Sequence, residues 1–582
     1  MGRRSAGATG LTHLVGGPRM RTARLLRGRW AAPSRWLPLV LVAAGSAGAQ
    51  VPGGALPGQV ERQFQSPPEP RAAPPAVAPS LPEPDQGPPP DAAKIRFVLK
   101  AVRLEGLTVH APGAFDHVFA QYVGRQVAVA NLYSLARVLT AQLRNEGYIL
   151  TRVVVPAQEI EDGVARLQVV EGFVDRVSIT GPGAQSERVQ RLGERIRAAR
   201  PLTAQVLERY LLLLNDLPGV TARATLAPSP ATHAGADLAV VLAHKPVAAG
   251  LSVDNRGSSA LGPGRLLAEL DLNGVLGGHE HLGFKVGSSL NGELAFAALG
   301  AGLPLGDEGG RLNLGLTASR ARPQLSGARP PLLETESTGG SIGYSHPVLR
   351  ARSHNLSLRA SLTAHDGRTE LDGTRFSHDR VRALRLGATW DRADSLRGIT
   401  LVDLEVSHGL NMLGASRNGA ADLSRAGGRV DFTRINLYAA RLQSLAGRWS
   451  VLAAVSLQHA VTDLLSSELF AYGGDPFGRA YDAARLVGDS GTAARLELRY
   501  TRPREAALGY TAYAFYDWGQ VRRRHPVAEP AVEAAASAGL GLRLEAQGGL
   551  SGFAEVAWPL SRGVAPGNER SARGHFGLAW RY

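Results

Sequence analysis

The last eight residues, His575-Phe576-Gly577-Leu578-Ala579-Trp580-Arg581-Tyr582, limit the fold more than any other stretch of this 582-residue chain. In an extended strand Phe576, Leu578, Trp580 and Tyr582 share one face, and His575, Gly577, Ala579 and Arg581 share the other. An alternating strand that closes on an aromatic suits the sealing strand of a transmembrane β-barrel. The apolar face meets lipid, the small and polar face meets a wet lumen, and closure leaves no unpaired edge.

The pattern continues backwards to about residue 247. Leu312, Leu314 and Leu316 share a face. Leu356, Leu358, Ala360, Leu362 and Ala364 oppose Ser357, Arg359, Ser361 and Thr363. Val402, Leu404 and Val406 alternate with Asp403, Glu405 and Ser407, and Ala494, Leu496, Leu498 and Tyr500 alternate with Arg495, Glu497 and Arg499. Charge at every second residue is foreign to a sheet buried on both faces and suits a barrel with water inside. The segmentation gives roughly sixteen strands over about 335 residues, an even number that fits an antiparallel barrel of medium bore.

The N-terminus reads differently. The first fifty residues hold eight arginines and no acid, followed by the apolar run Trp36 to Ala44 and the small-residue site Ala47-Gly48-Ala49. Residues 1–49 are therefore expected to be a secretory signal peptide, with Met20 an alternative start. Without those eight arginines the formal charge falls from +15 to +7, and no nucleic-acid motif is present, so no nucleic-acid partner is expected. With no cysteine, disulfides and thiolate chemistry are excluded.

Residues 50–92 read as a candidate plug segment and a linker. Gly58 to Gln65 has the composition for a helical turn or two, and Pro67-Pro68, Pro74-Pro75 and Pro88-Pro89-Pro90 cannot join a helix or sheet interior. Two α+β modules then follow in tandem, 93–172 and 173–246. In the first, Phe97 to Leu104 reads as a strand, Asn131 to Glu146 as a helix, and Thr151 to Val155 and Val164 to Val170 as strands. In the second, Val174 to Ile179 reads as a strand, Ser186 to Ala199 and Thr203 to Asp216 as helices, and Val220 to Leu226 and Ala236 to Leu242 as strands. Val174 to Ile179 and Ala236 to Leu242 are candidate sheet edges, open to an extended polypeptide by strand addition.

Inside the barrel region, 247–582, a long insertion at about 461–491 carries Phe477-Gly478-Arg479-Ala480-Tyr481-Asp482 and Gly488-Asp489-Ser490-Gly491, and Phe515-Tyr516-Asp517-Trp518-Gly519 comes one strand later. With the Pro-rich linker, the two modules, Asp254-Asn255-Arg256-Gly257 at the barrel start and the aromatic terminus, this order resembles the two-partner secretion transporters, the hemolysin secretion/activation (ShlB/FhaC/HecB-type) family. The resemblance implies two polypeptide-transport-associated (POTRA) modules in the periplasm, a sixteen-stranded antiparallel barrel in the bacterial outer membrane, and no cofactor. It implies export of a cognate secreted polypeptide, a large β-helical adhesin or hemolysin. Outer-membrane lipid and the barrel-assembly machinery, which would insert the chain, are the other partners implied.

In that family the long loop folds into the lumen and its arginine pairs with a wall aspartate. Carried over, these are Arg479, flanked by Phe477, Gly478, Ala480 and Tyr481, and Asp517, flanked by Phe515 and Gly519. Gly488, Asp489 and Gly491 close the loop, and Phe576, Leu578, Trp580 and Tyr582 close the barrel. The commoner family pattern has glycine after the arginine, where this chain has Ala480. The principal alternative is a factor of the same superfamily that inserts other barrels; a passive porin leaves the modules without a task.

Enzyme readings are weaker. Gly488-Asp489-Ser490-Gly491 superficially matches a serine-protease nucleophile loop, but the flanking residues differ and no partner histidine segment exists; as loop chemistry it reads as an ordinary turn. Gly278-His279-Glu280-His281 offers two imidazoles and a carboxylate, yet Gly277-Gly278 marks a turn, and a solvated hairpin tip is the expected reading over a metal site. No catalytic activity is expected.

Overall fold

The computed structural model describes residues 51–65, 67–70, 87–325, 328–504, 507–526, 529–561 and 571–582. The expected signal peptide and Pro74-Pro75 lie outside the described residues. Among those described, sixteen antiparallel strands close into one barrel, from Val247–Asp254 to Arg573–Arg581. The first and sixteenth strands pair from Gly577 opposite Asp254 to Arg581 opposite Gly250. Phe576, Leu578, Trp580 and Tyr582 all point outward, Phe576 65% exposed, where a lipid-facing row belongs. The Asn255 side chain extends the seam, taking a hydrogen bond from Phe576 N (2.8 Å) and giving one to Gly574 O (2.9 Å).

Two small cores precede the barrel. In the first module the helix Val129–Asn145 lays Leu132, Leu135, Leu139 and Leu143 on a three-stranded sheet. Phe97 to Leu104 is not one strand: Arg96–Val98 and Ala101–Glu105 belong to different sheets. Between them Leu99 turns fully inward, and its N–H goes to Arg125 O. A buried leucine at the break satisfies the core better than an unbroken alternation would. A short helix, Asp116–Phe119, and the strand Gln126–Ala128 complete this module.

The second module packs Glu187–Ala198 and Ala204–Asn215 on one face of its sheet. Its last strand, Gly235–His244, lies between Phe173–Thr180 and Val220–Pro228. Ala236 to Leu242 is therefore the centre of the sheet, not an edge. It is parallel to the first strand and antiparallel to the second, so both of its sides are already paired. The free edges are Phe173–Thr180 and Val220–Pro228. On the second of these, Asn215 takes both backbone groups of Ala222, accepting from its N–H (2.9 Å) and donating to its carbonyl (3.4 Å).

The second module is bolted to the barrel rim. Arg350 forks onto Asp216 (2.7 Å to each oxygen), Arg209 and Tyr210 both reach Glu308 (2.9 Å), and Arg191 reaches Asp307 (2.9 Å). The hairpin tip at Gly278-His279-Glu280-His281 lies on this junction: Gly277 and Gly278 are exposed, as expected of a tip, whereas His279 and Glu280 are buried. Glu280 accepts from the N–H groups of Leu276 (2.6 Å) and Gly278 (3.0 Å), which closes the turn, and His281 turns away to Asp271 (3.0 Å). Among the described residues no group of three or more metal-ligating side chains forms.

Candidate functional site

The eleventh barrel strand, Trp449–Ala460, and the twelfth, Ser490–Arg502, are joined on the side away from the modules by a loop that turns back into the lumen. There it forms a hairpin of its own, Phe470–Tyr472 against Leu486–Gly488. Two wall glycines make room for it. A Cβ on Gly491 would meet the Phe470 ring at 2.1 Å, and one on Gly519 would meet the Tyr472 ring at the same distance. Gly488 and Gly491 do not make the turn that the sequence led us to expect: each lies in a strand, and the chain bends between the two strands at Asp489 alone. The wall and lumen rings require that close approach.

The hairpin tip presents Arg479, 2% exposed and among the largest fully buried side chains. Gly478, at φ +97°, lets the chain turn just before it. The guanidinium forks onto Asp517 on the thirteenth strand, Leu508–Arg522, through Nε (3.0 Å) and Nη2 (2.9 Å). The backbone N–H groups of Gly478 and Arg479 also point at Asp517 Oδ2, each at 3.3 Å. Phe515, one inward position away, lies 3.4 Å from the guanidinium carbon to its ring centroid, so the cation is held edge-on by carboxylate and face-on by an aromatic. The buried Tyr481 donates to Ala536 O (2.9 Å), and His575 on the closing strand donates to Arg479 O (2.9 Å). Ala480 is buried beside them, and Phe477 packs partly buried on the same cluster.

Two further carboxylates reach the same cation, and sequence reading missed both. Arg479 Nη1 lies 3.1 Å from Glu555 and 3.3 Å from Glu497. Both are themselves shared. Glu555 also takes Arg256 (3.3 Å), which continues to Asp475 in the loop (2.7 Å). Glu497 also takes Arg543 (2.6 Å) and Arg499 (2.7 Å). Every acid in this cluster thus faces a guanidinium, the condition under which buried charge is tolerable. The inward charges expected to sit in water are instead paired and covered. Their alternation along a strand was a legible signal; their mutual proximity was not.

A second tether lies up the descending arm. Glu468 binds Arg385 (2.8 Å) and Arg434 (3.1 Å); Glu468 and Arg434 are buried and Arg385 partly so. Asp489, at the exit, is fully buried and holds Arg425 (2.7 Å) together with the N–H groups of Leu464 (2.8 Å) and Arg524 (3.0 Å). Ser490 spends its hydroxyl on Ala460 N (3.0 Å), with no histidine in the arrangement a nucleophile needs.

The N-terminal segment occupies the lumen as well. Of the expected Gly58 to Gln65 helix only Gln59–Arg62 is α-helical, one turn started by Gly58 at φ +81°, and a 3-10 turn at Gly53–Ala55 precedes it. Gln59 and Arg62 donate to carbonyls of the loop, and Glu61 accepts from Ser319 (2.9 Å) on the opposite wall. Further along, Glu69 pairs with Arg495 (2.6 Å). Between this segment, the loop and the wall lies a cavity of about 500 Å³.

Residues 239–544 match the family described as haemolysin secretion/activation protein ShlB/FhaC/HecB, and 97–172 match the ShlB-type POTRA domain. The heme/hemopexin transporter protein HuxB of Haemophilus influenzae strain 86-028NP is 24% identical over 69% of this chain and 72% of its own length. The outer membrane transporter CdiB of Dickeya dadantii is 22% identical over 80% of this chain and 83% of its own. The solved structure of CdiB from Escherichia coli superimposes with a TM-score of 0.71 at 18% identity, covering 88% of this chain and 94% of that one. The chain belongs to the ShlB/FhaC/HecB haemolysin secretion/activation family: it is a transporter, not an enzyme, whose barrel lies in the outer membrane with its modules in the periplasm, and it exports a partner protein by two-partner secretion.

Proposed function

We propose that the position of the inward loop governs export and that Arg479 is the group that seats it. The observation that carries this reading is the convergence of Asp517, Glu497 and Glu555 on one buried guanidinium at the tip of a loop that turns back into the lumen. Removing one partner from such a cluster leaves charge uncompensated in a place water does not reach, at a cost of roughly 3–5 kcal/mol. A loop held this way is stable at rest and moves only when the incoming polypeptide supplies a comparable interaction.

The partner is a large secreted polypeptide of β-helical type, an adhesin or hemolysin, received in extended form by the two periplasmic modules. No nucleotide is at hand in the periplasm, so binding at the modules and folding outside the cell bias its movement outward. Insertion of the chain itself falls to the barrel-assembly machinery.

The test compares proteins in the growth medium with and without this chain, and with Arg479→Ala. A large secreted protein that vanishes with the chain, and is exported poorly by a variant that still inserts, supports the reading. If no secreted protein depends on the chain while other barrels fail to assemble, an assembly factor replaces it.

A further inference from the structure

The barrel wall is not equally occupied. The loop tip is anchored on strands twelve to fifteen, through Glu497, Asp517 and Glu555. The plug is anchored on strands five and six, where Ser319 holds Glu61 and Thr335 donates to Ala55 O (2.8 Å). The cavity faces the sector between them, strands nine to eleven (Gly398–Gly409, Thr433–Ser444 and Trp449–Ala460). Register places six polar side chains there in two rows: Glu405, Asn436 and Gln458 above, Asp403, Tyr438 and Ser456 below.

Buried polar atoms without a partner among the described residues occur elsewhere in the lumen too, Tyr472 Oη and Ser537 Oγ among them, but two of them belong to these rows beside the cavity. Gln458 marks the upper limit, its amide donating to Glu468 O (3.0 Å) and Asp489 O (2.9 Å) in the loop. Below it, Asn436 Oδ1 and Tyr438 Oη are buried and have no hydrogen-bond partner among the described residues. Leaving such groups bare is costly. Across the same cavity stand Gln63, Gln65, Pro67 and Pro68 of the chain's own N-terminal segment, which between 67 and 70 adopts neither helix nor strand. The two prolines have no N–H to offer the wall.

We infer that this sector is the track for the exported polypeptide and that the segment around Pro67-Pro68 stands in for it at rest. The inference rests on the export reading above. The two rows lie two residues apart along their strands, about 7 Å, which is the repeat of same-side N–H groups in an extended chain. An ordinary polypeptide running beside strands nine to eleven presents donors to Asn436 and Tyr438 that the prolines lack. The stand-in thus occupies the path without satisfying it, and an incoming chain displaces it at a gain in hydrogen bonds.

The test places a tryptophan on the track, Ser456→Trp, and another off it, Ser361→Trp, on the same-facing row of the seventh strand as Arg359. Export is read on the secreted protein that disappears from the medium when this chain is deleted, and insertion on the heat-dependent gel mobility of the barrel. Export lost in Ser456→Trp and kept in Ser361→Trp, with both barrels inserted, supports the track. Equal loss in both, or export kept in Ser456→Trp, overturns it. If Ser456→Trp fails to insert, Ser456→Cys labelled in the inserted barrel with a bulky maleimide repeats the test, the chain having no other cysteine. If no secreted protein depends on the chain at all, the export reading fails instead.

Discussion

Arg62 of the plug donates to the carbonyl of Leu469 at 2.6 Å and to that of Ser467 at 2.7 Å, so the N-terminal segment is bound to the backbone of the inward loop. The contact is asymmetric. The plug gives up the bonds of Gln59, Glu61 and Arg62 when it leaves, whereas the loop keeps Glu468 on Arg385 and Arg434. The loop can therefore stay seated when the plug departs. Arg62→Ala should raise the open probability of the pore in planar bilayers while protease resistance of the loop is unchanged. A loop that becomes cleavable in the same variant would mean the two are released together.

Arg479→Ala should unseat the loop tip and reduce export, with a cost of roughly 3–5 kcal/mol to the docked state. Arg479→Lys keeps the charge but not the fork onto Asp517, and should fall between the two. Glu497→Gln should weaken the seat less than Asp517→Asn, since Asp517 alone takes two guanidinium nitrogens and two backbone N–H groups. Limited proteolysis of the loop in intact cells ranks the four variants.

Gly519→Ala tests the packing independently of charge. The new methyl group would overlap the Tyr472 ring at 2.1 Å, against a buried aromatic with no room to retreat. Overpacking of this kind typically costs about 1–3 kcal/mol. The barrel should insert and the loop hairpin should lose its seat, read as loop cleavage with unchanged heat-dependent mobility.

Acid should loosen the module–barrel junction. Burial at the rim opposes charge on Glu308, but the hydrogen bonds from Arg209 and Tyr210 outweigh it and hold the carboxyl below its ordinary value of 4.5. A carboxyl lowered in the docked state contributes its stabilisation fully above that ordinary value and loses it as pH falls through the docked one. Docking should therefore be flat through neutral pH and weaken only in strong acid. Distance measurements between spin labels on the second module and the rim would show this, and Glu308→Gln, lacking the ionised carboxylate, should be loosened already at neutral pH.

Particular residues show where reading the sequence stops. The Leu496/Glu497/Leu498/Arg499 alternation announces a strand with one lipid face, and the same holds for Phe576 to Tyr582. Arg479 and Asp517 were nameable only through the family resemblance, which carried a loop arginine and a wall aspartate onto their motifs. Glu555 was not, lying in a strand like many others until closure brings it 3.1 Å from Arg479. Likewise Gly235–His244 reads as any strand, and only the module's topology makes it central.

By itself the sequence determined the periodicities: which residues face lipid, how many strands there are, and where helices interrupt them. Those follow from side-chain alternation and are local. Tertiary structure alone decided which inward charges become neighbours, which strand edge stays open, and that Pro67-Pro68 lie in the pore. Register around a closed barrel sets those distances, and it couples residues such as Glu69 and Arg495 that no local pattern relates.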